Sequence, residues 1–285
     1  MEKLKFSSRI RIAEELVLKT LEKVRFRCSE LRPVPVETIA SYFGLEVRRM
    51  KGNASLAGID GFLSSKGRNS GVIFVFPSSK YRARFTVAHE LGHFLLKQFY
   101  PNLKVSDEDI EKICDEYSSR LLLPSAFIKI CFTSSLLSLK MIEKMSRKLE
   151  ISIPLILKRL RDAAFEELIY PSNGAFYIIL SDHKPKILTY CLPKGLSIPT
   201  RELSELGMDI LAYIFREFDP YTSGAVTDKI VIKDGDQTSP RYLAFRYKLL
   251  YTTRDDTKKS SFLFATPRCP RVKAMLAVCE DLTKK

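Results

Sequence analysis

The stretch FTVAHELGHFLL, residues 85 to 96, constrains the chain most, because it sets two histidines four residues apart inside an apolar run of helical period. On a helix, positions i and i+4 lie about 40° apart around the axis and roughly 6 Å along it, so His89 and His93 share a face. Glu90 sits one residue round from that face. Two imidazoles placed this way bind a divalent ion, and the glutamate beside them takes a proton from water held there. With three histidines and nineteen glutamates in 285 residues, random order gives only ~0.002 occurrences of the pattern. The competing reading, paired histidines that merely satisfy buried hydrogen bonds, predicts no third ligand nearby.

A catalytic zinc ion usually takes three protein ligands and leaves one position to water. His183, the only other histidine, lies in the turn-like SDHKPK and reads as a surface residue. The amphipathic run IEKICDEYSSRLLLP offers more, since Glu111 and Asp115 are again i and i+4. Glu111 is the candidate third ligand, and Asp115 the acceptor for the free N–H of a ligating imidazole. Glu108 and Glu116 are rivals for the ligand position, and a solvated acidic face is the plain alternative for the whole run. Between His93 and Glu111 there is room for one helix to end and a second to return alongside. Gly92 fits that packing, because a glycine inside a helix is offset when a neighbour needs close approach.

The surrounding pattern is mixed helix and strand. Ser7 or Ser8 is placed to cap a first helix, VPVETIASYFG reads as a short second one closed by Gly44, and LEVRRM as a strand. GIDGFLSS and GVIFVFP read as a hairpin, with GVIFVFP as the strand beside which a peptide substrate would lie. The helix carrying the histidines stops at Pro101, and the next is terminated at Pro124. SLKMIEKMSRKLEISIPLILKRLRD divides into two apolar-periodic halves at residues 150 to 152. Tyr81, Arg82, Arg84 and Tyr117 are near enough in sequence to serve an oxyanion, although core or surface roles suit each of them better.

From about Ser172 the pattern changes to strands, AFYIILSD, KILTYCL, KIVIKD, RYLAFRYKLLY and SFLFAT, with RELSELGMDILAYIFREF as a helix among them. The expected fold class is α+β, in three parts. Residues 1–124 form a domain with helices on a small sheet that carries the histidine pair, 125–169 a helical segment, and 170–285 a mixed α/β domain.

Composition narrows the setting. No run of about 18 apolar residues occurs, and the basic start lacks a continuous apolar core, so a cytoplasmic protein without a membrane partner is expected. Six scattered cysteines without a C-x-x-C pair read as reduced thiols. A net charge of +14 fits nucleic acid or an acidic protein partner, and equally ordinary solubility, because the lysines and arginines run through the whole chain.

RFTVAHELGHFLL, followed by E-x-x-C-D-x-Y-S-S-x-LLLP from Glu111 to Pro124, resembles the ImmA/IrrE family of zinc metallopeptidases, and RPVPVETIASYFGLEVRR is similar to that family's N-terminal segment. The likeness covers about residues 10 to 165. It implies that residues 1–124 are a zincin-like metallopeptidase domain of gluzincin type and that 170–285 are regulatory, with His89, His93 and Glu111 as metal ligands, Glu90 as catalytic base, and Asp115 at a position usually filled by Asn or Asp. Cys114, Tyr117 and Ser118 stand where Ala, Phe and Ala are frequent, at packing positions.

The resemblance further implies zinc, with manganese as the alternative ion, and a protein substrate. Characterised relatives cut a helix-turn-helix repressor and so switch on stress-response or mobile-element genes. In the IrrE-like branch a helix-turn-helix-like segment and a GAF-like sensor domain follow the peptidase. MSRKLEISIPLILKRL fits the former, with Ser152 as the N-cap of its second helix and with Lys158, Arg159 and Arg161 as candidate contacts to nucleic acid or a partner, though DNA binding is not required. The rival function is a DNA-binding or scaffold regulator with a structural metal site and no hydrolysis.

Overall fold

A computed structural model describes residues 4–28, 31–50, 59–67, 69–76, 79–132 and 137–171, followed by the strands 174–179, 186–191, 196–197, 224–234, 237–251 and 272–281. The chain packs as two compact units, one of residues 1–130 with 145–152, the other of 131–144 with 153–285. Among the described residues no helix is long and apolar enough to cross a membrane, and Cys28 and Cys114 are free thiols.

In the first unit, α1 (Phe6–Lys23) buries Ala13, Leu16, Val17, Thr20 and Leu21, a stripe of helical period. Its N-cap is Lys5, whose side chain makes no capping bond, so Ser7 and Ser8 lie inside the helix and do not start it. Helix α2 (Val36–Tyr42) ends before Gly44, whose φ of 81° turns the chain into β1 (Leu45–Arg49). β2 (Gly61–Ser65) and β3 (Gly71–Val75) form the expected antiparallel hairpin, with Leu63 opposite Ile73. β1 joins the other side of β3 in parallel, giving the order β1-β3-β2. β3 is therefore the central strand and almost wholly buried, whereas β2 alternates half-buried and exposed positions at an edge.

Helix α3 (Lys80–Phe99) begins at Ser79, whose hydroxyl accepts from the Arg82 N–H at 3.3 Å, and it packs on β2 and β3. Antiparallel return is made by α4 (Asp107–Leu122), which lies against α3 on one side and α1 on the other. Arg120, buried on α4, donates to Glu14 of α1 at 2.8 Å, and the Tyr117 hydroxyl meets Thr20 at 3.2 Å.

The start of α4 is a reciprocal cap. Ser106 Oγ accepts from the Asp109 N–H at 3.1 Å and donates to the Asp109 carboxylate at 2.9 Å. That carboxylate also accepts from the Leu4 N–H at 3.2 Å and from Arg9 at 2.9 Å, tying the N-terminal segment down. The Leu4 N–H foremost, then Ser106 and Arg9, hold the Asp109 carboxyl below its ordinary range against the opposing effect of burial. A depressed carboxyl stabilises the fold above its unfolded pKa, about 4, and loses that contribution as pH falls through its folded value. Asp109→Asn should melt below wild type at pH 7, and the gap should narrow as pH falls below about 4. Equal melting at pH 7, followed by circular dichroism, would show that the tie contributes nothing.

Helix α5 (Ser125–Cys131) follows Pro124. The divided helical stretch is α6 (Leu139–Leu149) and α7 (Ile153–Phe165), with Glu150 between them at φ 55°. Glu150 pairs with Lys80 and, at 3.7 Å, with Arg84, so this bend is fastened to the first two turns of α3.

In the second unit, α7 packs on β4 (Gly174–Ile179) and β5 (Lys186–Cys191). These belong to a six-stranded sheet completed by β6 (Leu196–Ser197), β7 (Gly224–Asp234), β8 (Gln237–Tyr251) and β9 (Val272–Asp281), in the order β5-β4-β9-β8-β7-β6. KIVIKD and RYLAFRYKLLY fall in β7 and β8, while β9 is a strand that sequence patterning did not single out. SFLFAT, RELSELGMDILAYIFREF and His183 lie outside the described residues.

Candidate metal centre

His89, Glu90 and His93 all come from α3, in the middle of a helix that buries Val87, Ala88, Leu91, Gly92 and Phe94 around them. Glu111 and Asp115 come from the facing side of α4. Close approach of the two helices depends on Gly92, where an added Cβ would sit 2.8 Å from the Tyr117 ring and 3.5 Å from Cys114. Tyr117, Cys114 and Ser118 are buried in this contact, and the Ser118 hydroxyl donates to the Cys114 carbonyl at 2.6 Å. They pack the helices together, as their positions suggested.

Three donor atoms converge. His89 Nε2 lies 3.1 Å from His93 Nε2 and 3.1 Å from one Glu111 oxygen, and His93 Nε2 lies 3.3 Å from the other. Donors about 2.0–2.1 Å from a tetrahedral zinc ion are separated by about 3.3 Å, so the triangle has the size of one face of such a site. His89 Nδ1 is 3.0 Å from the Asp115 carboxylate. Donation of Nδ1–H to Asp115 leaves Nε2 with a lone pair, and that lone pair faces another imidazole nitrogen and a carboxylate oxygen. Acceptors aimed at one another at this distance fit a cation among them. His89, His93 and Glu111 are accordingly a candidate metal cluster of the described residues.

Exposure is graded across the cluster. The histidine side chains are 16% and 18% accessible and Glu111 59%, so one side faces solvent. Burial opposes protonation of His89, but Asp115, with the charges of Glu90 and Glu111, outweighs it and holds the ring above its ordinary pKa. For His93 burial and the positive charge of His89 win, with Lys97 adding to them, and its pKa is lowered despite Glu111. Glu90 is pushed up by burial and by the Glu111 charge, against the His89 charge and the Leu63 backbone N–H that its carboxylate accepts from. Through that N–H the α3 carboxylate feels edge strand β2.

Other expected residues fall elsewhere. Glu108 pairs with Lys112, and Glu116 lies 3.7 Å from Arg120, so neither rival joins the cluster. Arg82 pairs with Asp60, Arg84 donates to the Val34 carbonyl at 2.8 Å, and Tyr117 bonds to Thr20, which leaves none of the three at the metal cluster. Lys158, Arg159 and Arg161 all lie within 4 Å of Asp162. Arg159 is fully buried, which removes it as a surface contact to DNA or a partner, while Lys158 and Arg161 remain accessible. GVIFVFP does not offer an edge for a peptide either, because β3 is hydrogen-bonded on both sides. Sequence patterning missed the groove beside His93, described below, whose lining comes from five separate segments.

Residues 40–161 match the family model Peptidase_M78, the IrrE N-terminal-like domain, a segment that contains α3 and α4. No curated protein matches the chain. The solved structure of a Mycobacterium tuberculosis transcriptional regulator is similar over 97% of this chain and 89% of that one, with a TM-score of 0.52 and 12% identity, a likeness of fold.

Proposed function

Because residues 40–161 match the family model of the IrrE N-terminal-like domain, Peptidase_M78, we propose that the chain is a zinc-dependent endopeptidase that makes a limited cut in a regulatory protein. By the family resemblance, that protein is a helix-turn-helix repressor whose loss switches on stress-response or mobile-element genes. One observation carries the reading: Asp115 turns His89 so that its Nε2, His93 Nε2 and Glu111 converge on one point with a solvent-facing side.

His89, His93 and Glu111 would hold the ion, zinc or alternatively manganese. When bound, it supplies a Lewis acid and lowers the pKa of water toward ≈ 7. Glu90 acts as the general base: its carboxylate accepts the proton of the attacking water and returns it to the leaving amine. Burial suits it to the first of these transfers, since a carboxylate whose pKa is raised accepts a proton more readily than an ordinary one. The Leu63 N–H keeps Glu90 aimed. Since Leu63 belongs to edge strand β2, the substrate backbone is proposed to add along the open side of β2, in place of β3.

The test is elemental analysis of metal per chain in wild type, His93→Ala and Glu111→Ala. Near one zinc per chain in wild type, with marked loss in both variants, is expected. Absence of stoichiometric metal after incubation with zinc or manganese would remove the peptidase and leave a protein that works by binding.

A further inference from the structure

Beyond His93, α3 runs on for six residues, and a groove of about 850 Å³ opens along that stretch. His93 is part of its lining, so the groove is continuous with the metal cluster. Phe43, Phe94, Phe99, Tyr100, Leu103 and Ile110 make its walls largely apolar and aromatic. Ser65, Gly67 and Asn69, from the end of β2 and the turn after it, line it as well, so edge strand β2 runs into the groove.

Its charge is one-sided. Among the described residues Lys23 and Lys97 line it, and no aspartate or glutamate does. Both lysines are exposed, and among the described residues neither has an ion-pair partner. Lys97 follows His93 by four residues and so projects from the same face of α3, one turn on. An ammonium group beside an apolar wall attracts a carboxylate more strongly once a bound chain displaces water, and it repels a second cation.

We propose that this groove holds the stretch of substrate flanking the cut and selects there an apolar or aromatic residue next to an acidic one, whose carboxylate meets Lys97. Naming the occupant as substrate rests on the peptidase reading above. Charge complementarity and continuity with the metal cluster supply the rest.

The experiment uses the full chain as Glu90→Gln, loaded with zinc, and fluorescent peptides with a Leu-Phe centre carrying Glu, Gln or Lys at each flanking position in turn. Anisotropy should show one position at which Glu binds about fivefold or more tighter than Lys. Adding Lys97→Met should reduce that ratio to about one, and the ratio cancels any change in metal content common to both peptides. A preference equal at every position, reflecting only the net positive charge, or one unchanged in Lys97→Met, overturns the proposal. Wild-type cutting of the preferred peptide is scored separately: preference without cutting retains the groove and removes the hydrolysis, whereas cutting without preference does the reverse.

Discussion

Glu90→Gln should retain its metal yet cut about a hundred to ten thousand times more slowly than wild type on any protein or peptide that wild type cleaves. The substitution keeps the shape and the acceptor for the Leu63 N–H, and it leaves all three converging donors untouched. What it removes is the carboxylate assigned to take the proton from the attacking water. Elemental analysis and a cleavage assay on the same preparation separate the two properties. Unimpaired biological function of the variant would favour the non-hydrolytic regulator instead.

Gly92→Ala should lower stability and metal affinity together. In an isolated helix the change would stabilise by about 1 kcal/mol. Here the new methyl group meets the Tyr117 ring at 2.8 Å, and that ring is buried with its hydroxyl bonded to Thr20 of α1. Overpacking of this kind costs about 1–3 kcal/mol, enough to lower the melting temperature by several degrees. Because α4 carries Glu111 and Asp115, any separation from α3 moves a ligand and an orienting acceptor away from the histidines. Calorimetry and zinc titration would detect both effects. A raised melting temperature with unchanged zinc affinity would mean that the helices tolerate the methyl and that the close approach is incidental.

Local spacing carried most of the metal cluster into the sequence. His89, His93, Glu111 and Asp115 are each set by an i, i+4 interval, and one short connection brings the two intervals face to face. The hairpin of β2 and β3 was legible for the same reason, since its partners are neighbours in the chain. The parallel pairing of β1 with β3 was not, because it joins strands separated by β2, and alternation alone does not say which strand lies in the middle. Arg159 misled because a basic residue on a helix is ordinarily solvated, whereas this one is buried beside Asp162. The cap at Ser106 is visible afterwards as S-x-x-D, shadowed in the sequence by the acidic run around it. Glu150, which reads only as a break between helices, supplies the carboxylate for two cations of α3.

The chain passes from one compact unit to the other after residue 130, returns after 144, and leaves again after 152. A truncation therefore cannot free the unit that carries α3 and α4 with a single cut. A fragment ended at residue 130 would lose Glu150, unpairing Lys80 and removing one anionic neighbour of Arg84 at the mouth of α3. One ended at 152 would keep that carboxylate but drag along residues 131–144, sequence that packs with the other half. Stop codons are thus a poor way to divide the labour of these two units, and point substitutions at Glu150, Gly92 or Lys97 are the sharper tools.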